Sequence, residues 1–332
     1  MSVEVGPAMK QRYQNRKNLA AVPSILVGVL WIAYIVWSDR WDVFKSAGAM
    51  PLVMLFGSFI AGASAQGGGA IAFPAMTLLF SLPPDVARNF SFAIQSVGMT
   101  SAAVVILLRR IPIERYYLLI CSLGGTIGIF YGTFYVAPHI DPQSTKLLFA
   151  AIWLSFGFVL IYLQSTSSEH TLPQLPLLRG SEKGQLFTVA CLGGIISSMF
   201  GSGLDICTFA YVILRYRLSV KIATPTSVVL MAFNAIVGLL IHSLVLQDFG
   251  DQGQAYWLAC IPIVILGAPL GALYIASKSK GFITWLLFII ILIQFLGACF
   301  IVIPTMAQIL AMLGVFVASS LVFYFLRSVS RK

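Results

Sequence analysis

Charge is scarce in this chain. Only 10% of its 332 residues are Asp, Glu, Lys or Arg, against 59% hydrophobic residues, which leaves too little polar surface to clothe a soluble globule. Histidine is rarer, with three positions (His139, His170, His242), and no paired carboxylates or nucleophile triad can be read, so an enzyme site is weakly supported. The five cysteines (Cys121, Cys191, Cys207, Cys260, Cys299) all fall in apolar runs without C-x-x-C spacing, which argues against zinc and against a disulfide framework. They read as small packed hydrophobes, and neither metal nor cofactor is expected. Basic residues outnumber acidic ones by 21 to 11 but sit between the apolar runs in no aromatic-interleaved stripe, so no nucleic-acid partner is expected. What is abundant is apolar sequence, with a mean hydropathy of +0.92 over the whole length. The solvent is the lipid bilayer, and the expected class is an all-α polytopic membrane protein.

Runs of about 20 apolar residues predict eight spans near 20–37, 88–108, 116–136, 144–163, 223–246, 256–276, 282–303 and 308–326. Lys10, Arg12, Arg16 and Lys17 ahead of the first run resemble a signal peptide, but that run is long enough to span. The small-residue triplet Ala47-Gly48-Ala49 lies beyond Asp39, Arg40, Asp42 and Lys45, so an uncleaved first helix is expected. Two further stretches, 50–82 and 185–214, are broken by Gln66-Gly67-Gly68-Gly69 and by Phe200-Gly201-Ser202-Gly203, each leaving two half-length pieces. The N-terminus, Arg109-Arg110 with Arg115, Arg215 with Arg217 and Lys221, Lys278 with Lys280, and Arg327 with Arg331 and Lys332 belong on the cytoplasmic side of the cell (inner) membrane. The loops 39–49, 137–143 and 247–253 lack that excess and belong outside, an arrangement that works only if both broken segments return to the side they entered.

The halves look alike. Gly67 precedes Gly201 by 134 residues and Ala87-x-x-x-Ser91 precedes Ala223-x-x-x-Ser227 by 136, as expected for a duplicated unit of one re-entrant hairpin plus three spans, the second copy inverted. The division is then 1–49 (cytoplasmic segment and first helix), 50–163 (first repeat), 164–184 (cytoplasmic linker), 185–303 (second repeat) and 304–332 (last helix and basic tail).

Backbone freed at bilayer depth is costly unless it lines a cavity or is buried in protein, so two breaks imply a site. Return helices starting near Ala70 and near Leu204 or Asp205 would aim their amides inward at a small anion, with no Lys or Arg placed mid-span. The expected substrate-binding residues are Gln66, Gly67, Gly68 and Gly69, Ser91 and Gln95, Gly201, Ser202 and Gly203, and Thr224, Ser227 and Asn234. Ser91, Ser96, Thr224 and Ser227 also suit packing or capping, and Thr224-Pro225 reads as an N-cap followed by a first-turn proline. Asp205 fits either a proton-coupling carboxyl or the cap of its own half-helix. Arg88 and Asn89 would steer anions or anchor a helix end, and Cys207 would put a thiol near the site or serve packing.

The stretch Gly62-x-x-x-x-Gly67-Gly68-Gly69-x-x-x-x-Pro74 followed by Ala87-x-x-x-Ser91 resembles the TauE/SafE membrane transporters over about residues 50 to 303. Gly201-Ser202-Gly203-Leu204-Asp205 through Ala223-Thr224-Pro225-Thr226-Ser227 looks like a divergent second copy, with Asp205 and Cys207 in place of a full glycine triplet and following proline. The resemblance implies transport of a small sulfur-containing anion such as sulfite or a sulfonate, usually outward, and is compatible with a homodimer. Two rivals remain: a cation-coupled transporter of another small organic solute using Asp205, and a membrane assembly factor or enzyme.

Overall fold

The computed structural model describes residues 22–64, 66–165, 171–275 and 280–328. The basic stretch before residue 22, Lys278, Arg331 and Lys332, used above to assign sidedness, lie outside the described residues, as do residues 166–170 of the linker. Apart from an isolated bridge between Leu172 and Leu218, all regular structure among the described residues is helical.

In chain order the helices are α1 (Val22–Ser38), the short α2 (Val43–Ser46), α3 (Met50–Ala63), α4 (Gly69–Pro74, carried on by a π turn over Ala75–Leu79) and α5 (Pro84–Leu108). Then come α6 (Arg115–Tyr131, prolonged by Gly132–Val136 and Ala137–His139), α7 (Pro142–Ser165), α8 (Gly180–Phe200), α9 (Leu204–Tyr216) and α10 (Val220–Leu240, prolonged by Ile241–Val245). The chain closes with α11 (Asp251–Ile275), α12 (Lys280–Val302) and α13 (Met306–Ser328). Among the described residues, seven helices are long and apolar enough to cross a membrane: α5, α6, α7, α8, α10, α11 and α12. The described apolar parts of α1 and α13 are shorter.

Several boundaries differ from the sequence reading, and two of the shifts have a visible cause. The limb before the second break is not half-length: α8 has 21 residues, or about 31 Å at 1.5 Å per residue, because it starts in polar sequence at Gly180, where Glu182 Oε2 accepts the Arg179 amide at 2.8 Å. Counting apolar residues from 185 misses that turn. Likewise α10 starts at Val220, not at Thr224, so Pro225 lies inside the helix and Thr224 is no N-cap. The start is set by Ser219, whose amide donates to the Leu172 carbonyl at 2.8 Å and whose carbonyl accepts from Ile222 and Ala223.

Helix pairing follows the small residues, as expected where lipid supplies no hydrophobic drive between helices. Gly62, Gly267 and Gly271 let α3 and α11 touch backbone to backbone, and Gly124, Gly128 and Gly194 do the same for α6 and α8. Both pairs run parallel, and each joins an equivalent helix of one half to its counterpart's partner in the other. By contrast α5 and α10 run antiparallel: Arg88 lies by Asp248, Gly238 abuts Phe92, and the Glu114 amide reaches Thr226. An inverted duplication gives this pairing pattern.

Both broken segments turn back. Phe80, at the end of the first return limb, stacks toward Tyr256 at 6.5 Å, near the end of α11 that also holds Trp31 through the Leu258 carbonyl. In the second segment Tyr211 of α9 donates to Gln185 near the start of α8 at 3.2 Å, while Leu204 packs by Gly193. α8 therefore runs past the start of α9 at the tip. An aromatic clasp holds the two hairpins against α7, with Phe73 at 5.0 Å from Phe149 and Phe200 at 5.5 Å from Phe149 and 6.0 Å from Trp153.

A Cβ on Gly128 would meet the Cys191 carbonyl and sit 2.9 Å from Gly194 Cα, whereas one on Gly314 would meet nothing within 4 Å. Gly128→Val is expected to destabilise the protein by about 1–3 kcal/mol or more, seen as a lower thermal unfolding midpoint in detergent, while Gly314→Val leaves the midpoint unchanged.

Candidate substrate site at the meeting of the two breaks

The tips of the two hairpins touch. Ser202 Oγ in the second break donates to the Gln66 carbonyl in the first at 3.0 Å, and a Cβ on Gly69 would lie 2.7 Å from Ser202 Cβ. Gln66, Ser91, Gln95, Ser202, Asp205, Ser227 and Asn234 are all buried, as are the glycines of both breaks. Three positions are glycine for want of any other unstrained residue, because Gly67, Gly201 and Gly203 have φ of +70°, +74° and +143°. Gly201 packs onto α5 so closely that a Cβ would sit 2.5 Å from Ser91 Cβ and 2.7 Å from the Arg88 carbonyl.

Gln95 joins the tips. Its Nε2 donates to the Ser91 carbonyl at 2.8 Å and across the interface to the Gly201 carbonyl at 2.7 Å. Two carbonyls can accept only from the amide nitrogen, so the side chain's orientation is settled and Oε1 faces Gly67. Around the point where a Gly67 Cβ would be stand Gln95 Oε1 at 2.6 Å, Asp205 Oδ2 at 3.0 Å and Met231 Cε at 3.0 Å. Met231 lies 136 positions after Gln95, the same offset as Ala223 from Ala87, so the counterpart of Gln95 across the axis is an apolar side chain and not Asn234.

Asp205 caps its own half-helix. Its Oδ1 accepts the Gly203 amide at 3.0 Å, and Ser197 Oγ accepts the Leu204 amide at 2.9 Å. Two amides expected to face an anion at this tip are thus already taken within the protein. Sequence reasoning missed Ser197, which lies four residues before Gly201 and looks like any small helical residue, and it missed Met231, which reads as core. The same holds for Tyr117, whose hydroxyl lies 2.9 Å from Thr208 Oγ1 in the α9 turn that follows Asp205.

Several buried polar atoms here have no hydrogen-bond partner: Gln66 Nε2, Gln95 Oε1, Asp205 Oδ2, Ser227 Oγ and Asn234 Nδ2. Each such atom costs about 1–3 kcal/mol when left alone, and two of them, Gln95 Oε1 and Asp205 Oδ2, meet beside Gly67, which marks a polar centre. Other expected residues stand aside. Ser91 Oγ donates to the Ala87 carbonyl at 2.7 Å and Ser96 Oγ to the Ala93 carbonyl at 2.8 Å, both inside α5. Thr224 is half-buried, seven residues or about 10 Å along α10 from Met231, and Cys207 is half-buried against Gly193.

Arg88 and Asn89 form a latch at one end of the α5–α10 pair. Arg88 reaches Asp248 Oδ2 at 3.2 Å, Asn89 Nδ2 donates to the Asp248 carbonyl at 3.0 Å, and His242 Nδ1 lies 2.9 Å from Asp248 Oδ1. Arg88 also lines a cavity of about 120 Å³ with Asp85, Ile140, Thr145 and Met199, one residue short of the Phe200 tip. At the opposite end Glu114 has the matching place: its amide donates to Thr226 Oγ1 at 2.9 Å and its carboxylate accepts from Leu175 at 3.2 Å. Each acidic loop residue thus grips the first turns of the other half's post-break helix.

These features define a multi-pass helical membrane protein whose discontinuous segments meet in a buried polar centre, the construction used by secondary transporters. The chain belongs to the sulfite exporter TauE/SafE family, whose model matches residues 50–298. That family is one of membrane transporters, which makes small-anion transport the activity class. Searches of curated proteins and of solved structures returned no match.

Burial alone would raise the Asp248 carboxyl, but the bond from His242 and the charge of Arg88 more than offset it and hold the group below the usual carboxylate range. The latch's stabilising contribution is therefore complete above an unfolded value of about 4 and is lost as pH falls through the lower folded value. Thermal unfolding followed from neutral pH downward should show wild type above Asp248→Asn at neutral pH, and the gap closing only below about pH 4.

Proposed function

We propose that the protein carries a small sulfur-containing anion, sulfite or an organosulfonate, across the cell membrane, with export from the cytoplasm as its working direction. The observation that carries the reading is the direct contact of the two hairpin tips through Ser202, Gln66 and Gln95 at a buried polar centre, in a chain of the TauE/SafE family. The anion sits between the tips, with Gln66 to Gly69 on one side and Gly201 to Gly203 on the other. Gln66 Nε2, Ser227 Oγ and Asn234 Nδ2 are donors without a present partner that suit its oxygens.

The repeats are 50–163 and 185–303, flanked by an N-terminal helix, a linker and a C-terminal helix. Recurrence of the α3–α11 contact as α6–α8 supports that division. The Asp248 end faces outside and the Glu114 end faces the cytoplasm, following the loop charges. Access alternates by release of one acidic latch at a time, and Arg88 meets the anion in the outer cavity once Asp248 lets go. A cation-coupled reading is favoured by one observation only, the pair of acceptors Gln95 Oε1 and Asp205 Oδ2 facing one point.

The test is flux of sulfite, thiosulfate, sulfoacetate, sulfate and chloride in proteoliposomes. A Cβ on Gly68 would sit 3.0 Å from Gln95 Cγ, so Gly68→Val is expected to cut sulfur-anion flux at least about tenfold, equal to about 1.4 kcal/mol. Absence of any anion flux, or full flux in Gly68→Val, would defeat the proposal. Sodium-dependent flux of an uncharged solute, lost in Asp205→Asn, would establish the cation-coupled reading instead.

A further inference from the structure

Pro74 belongs to the helical limb that leads away from the first break, and it costs that limb a hydrogen bond. In α4 the Ala70 carbonyl is placed to accept the amide of residue 74, and proline has none. The next amide does not make up the loss, because Ala75 donates to the Ile71 and Ala72 carbonyls. Ala70 directly follows Gly67-Gly68-Gly69, so the orphaned carbonyl lies in the first turn behind the hairpin tip. Lipid has no donor for it.

The donor comes from another helix. Gln294 Nε2 of α12 donates to the Ala70 carbonyl at 3.1 Å, across 224 positions of sequence. No other amide or hydroxyl side chain occurs among residues 285–302, a run that is otherwise apolar. The other end of the same side chain, Oε1, is buried without a partner. The bond to Ala70 is therefore what offsets placing an amide at bilayer depth. Packing fixes its aim: Gly157 of α7 sits against Phe288 and Ile291 of α12, and Gly297, one turn on from Gln294, faces Leu78 beyond Pro74.

The second return limb has neither half of this couple. The 134-residue step from Gly67 to Gly201 takes Ala70 to Leu204 and Pro74 to Thr208, and the same step back takes Gln294 to Leu160. Thr208 has an amide, and its Oγ1 donates to the Leu204 carbonyl at 2.6 Å. Where the proline is absent the glutamine is absent too, and the carbonyl is served from within its own helix.

We propose that Gln294 is a positioning residue of the transport site: it supplies the hydrogen bond that Pro74 removes and so fixes the first hairpin tip from outside the hairpin. It acts through the Ala70 carbonyl on Gly67 to Gly69, which lie against Gln95 and Ser202. The consequence for transport rests on the reading given above, whereas the coupling of Gln294 to Pro74 does not.

The experiment is a double-mutant cycle in the full chain. Gln294→Met keeps the length of the side chain without its N–H, and Pro74→Ala returns an amide to the Ala70 carbonyl. The readouts are hydrogen–deuterium exchange over residues 66–73 in detergent, and apparent KM and maximal rate for sulfite in proteoliposomes. Gln294→Met should speed exchange and raise KM by about fivefold each, the equivalent of one side-chain hydrogen bond, with the maximal rate changed less. In the Pro74→Ala background the same substitution should alter both by less than about twofold. Unchanged exchange in Gln294→Met, or an equal effect with and without Pro74, overturns the inference. Coupled exchange with an unmoved KM would make Gln294 a strut and overturn its positioning role. If Gln294→Met does not fold, a double variant that folds supports the coupling, and one that fails while Pro74→Ala alone folds overturns it. Absence of sulfite flux in wild type would count against the transport reading and leave the exchange cycle to judge the coupling.

Discussion

The hydrogen bond from Gln95 Nε2 to the Gly201 carbonyl holds the centre of this molecule together. Breaking a helix at bilayer depth frees carbonyls and amides that lipid cannot satisfy, and the chain has done so twice. It meets the need by spending the side chain of an unbroken helix of one half on the break of the other. Once that nitrogen is committed, the oxygen on the same amide has nowhere to point but Gly67. The polar character of the centre follows from a structural repair.

The two halves share a plan but not a chemistry. Where α5 offers Gln95, α10 offers Met231, and where the first break has three consecutive glycines, the second has Ser202 between glycines and a carboxylate that caps its own helix. Such asymmetry on a near-symmetric frame lets one ligand have donors on one side and acceptors on the other. The acidic residues Asp248 and Glu114 keep the symmetry better, since each closes the far end of the opposing half and neither touches the centre.

Much of this could be read from the residues alone, because the cues were local. Glycine-rich breaks inside apolar runs mark backbone leaving a helix, and runs of about 20 apolar residues mark the spans. What escaped was non-local or polar. The first turn of α8 hides in Gly180-Ser181-Glu182-Lys183, where only the bond from Arg179 to Glu182 shows that a helix has begun. Thr224-Pro225 carried the usual signature of a helix start, yet Ser219, tied to Leu172 across the linker, starts that helix a turn earlier. Capping of the Leu204 amide by Ser197 depends on how far the chain folds back, which spacing does not tell.

The parallel pairs α3–α11 and α6–α8 have a consequence for biogenesis. The backbone-to-backbone glycine seams of α3 and α8 are made with α11 and α6 of the other half, so the first hairpin reaches its final packing only once the second half is present. At translation rates of about 5–20 residues per second, α3 waits roughly 10 to 40 seconds for α11 to leave the ribosome. During that interval the Ser58–Gly62 edge of the first hairpin faces lipid or a membrane chaperone. Assembly is thus decided late, when the second half closes over the first.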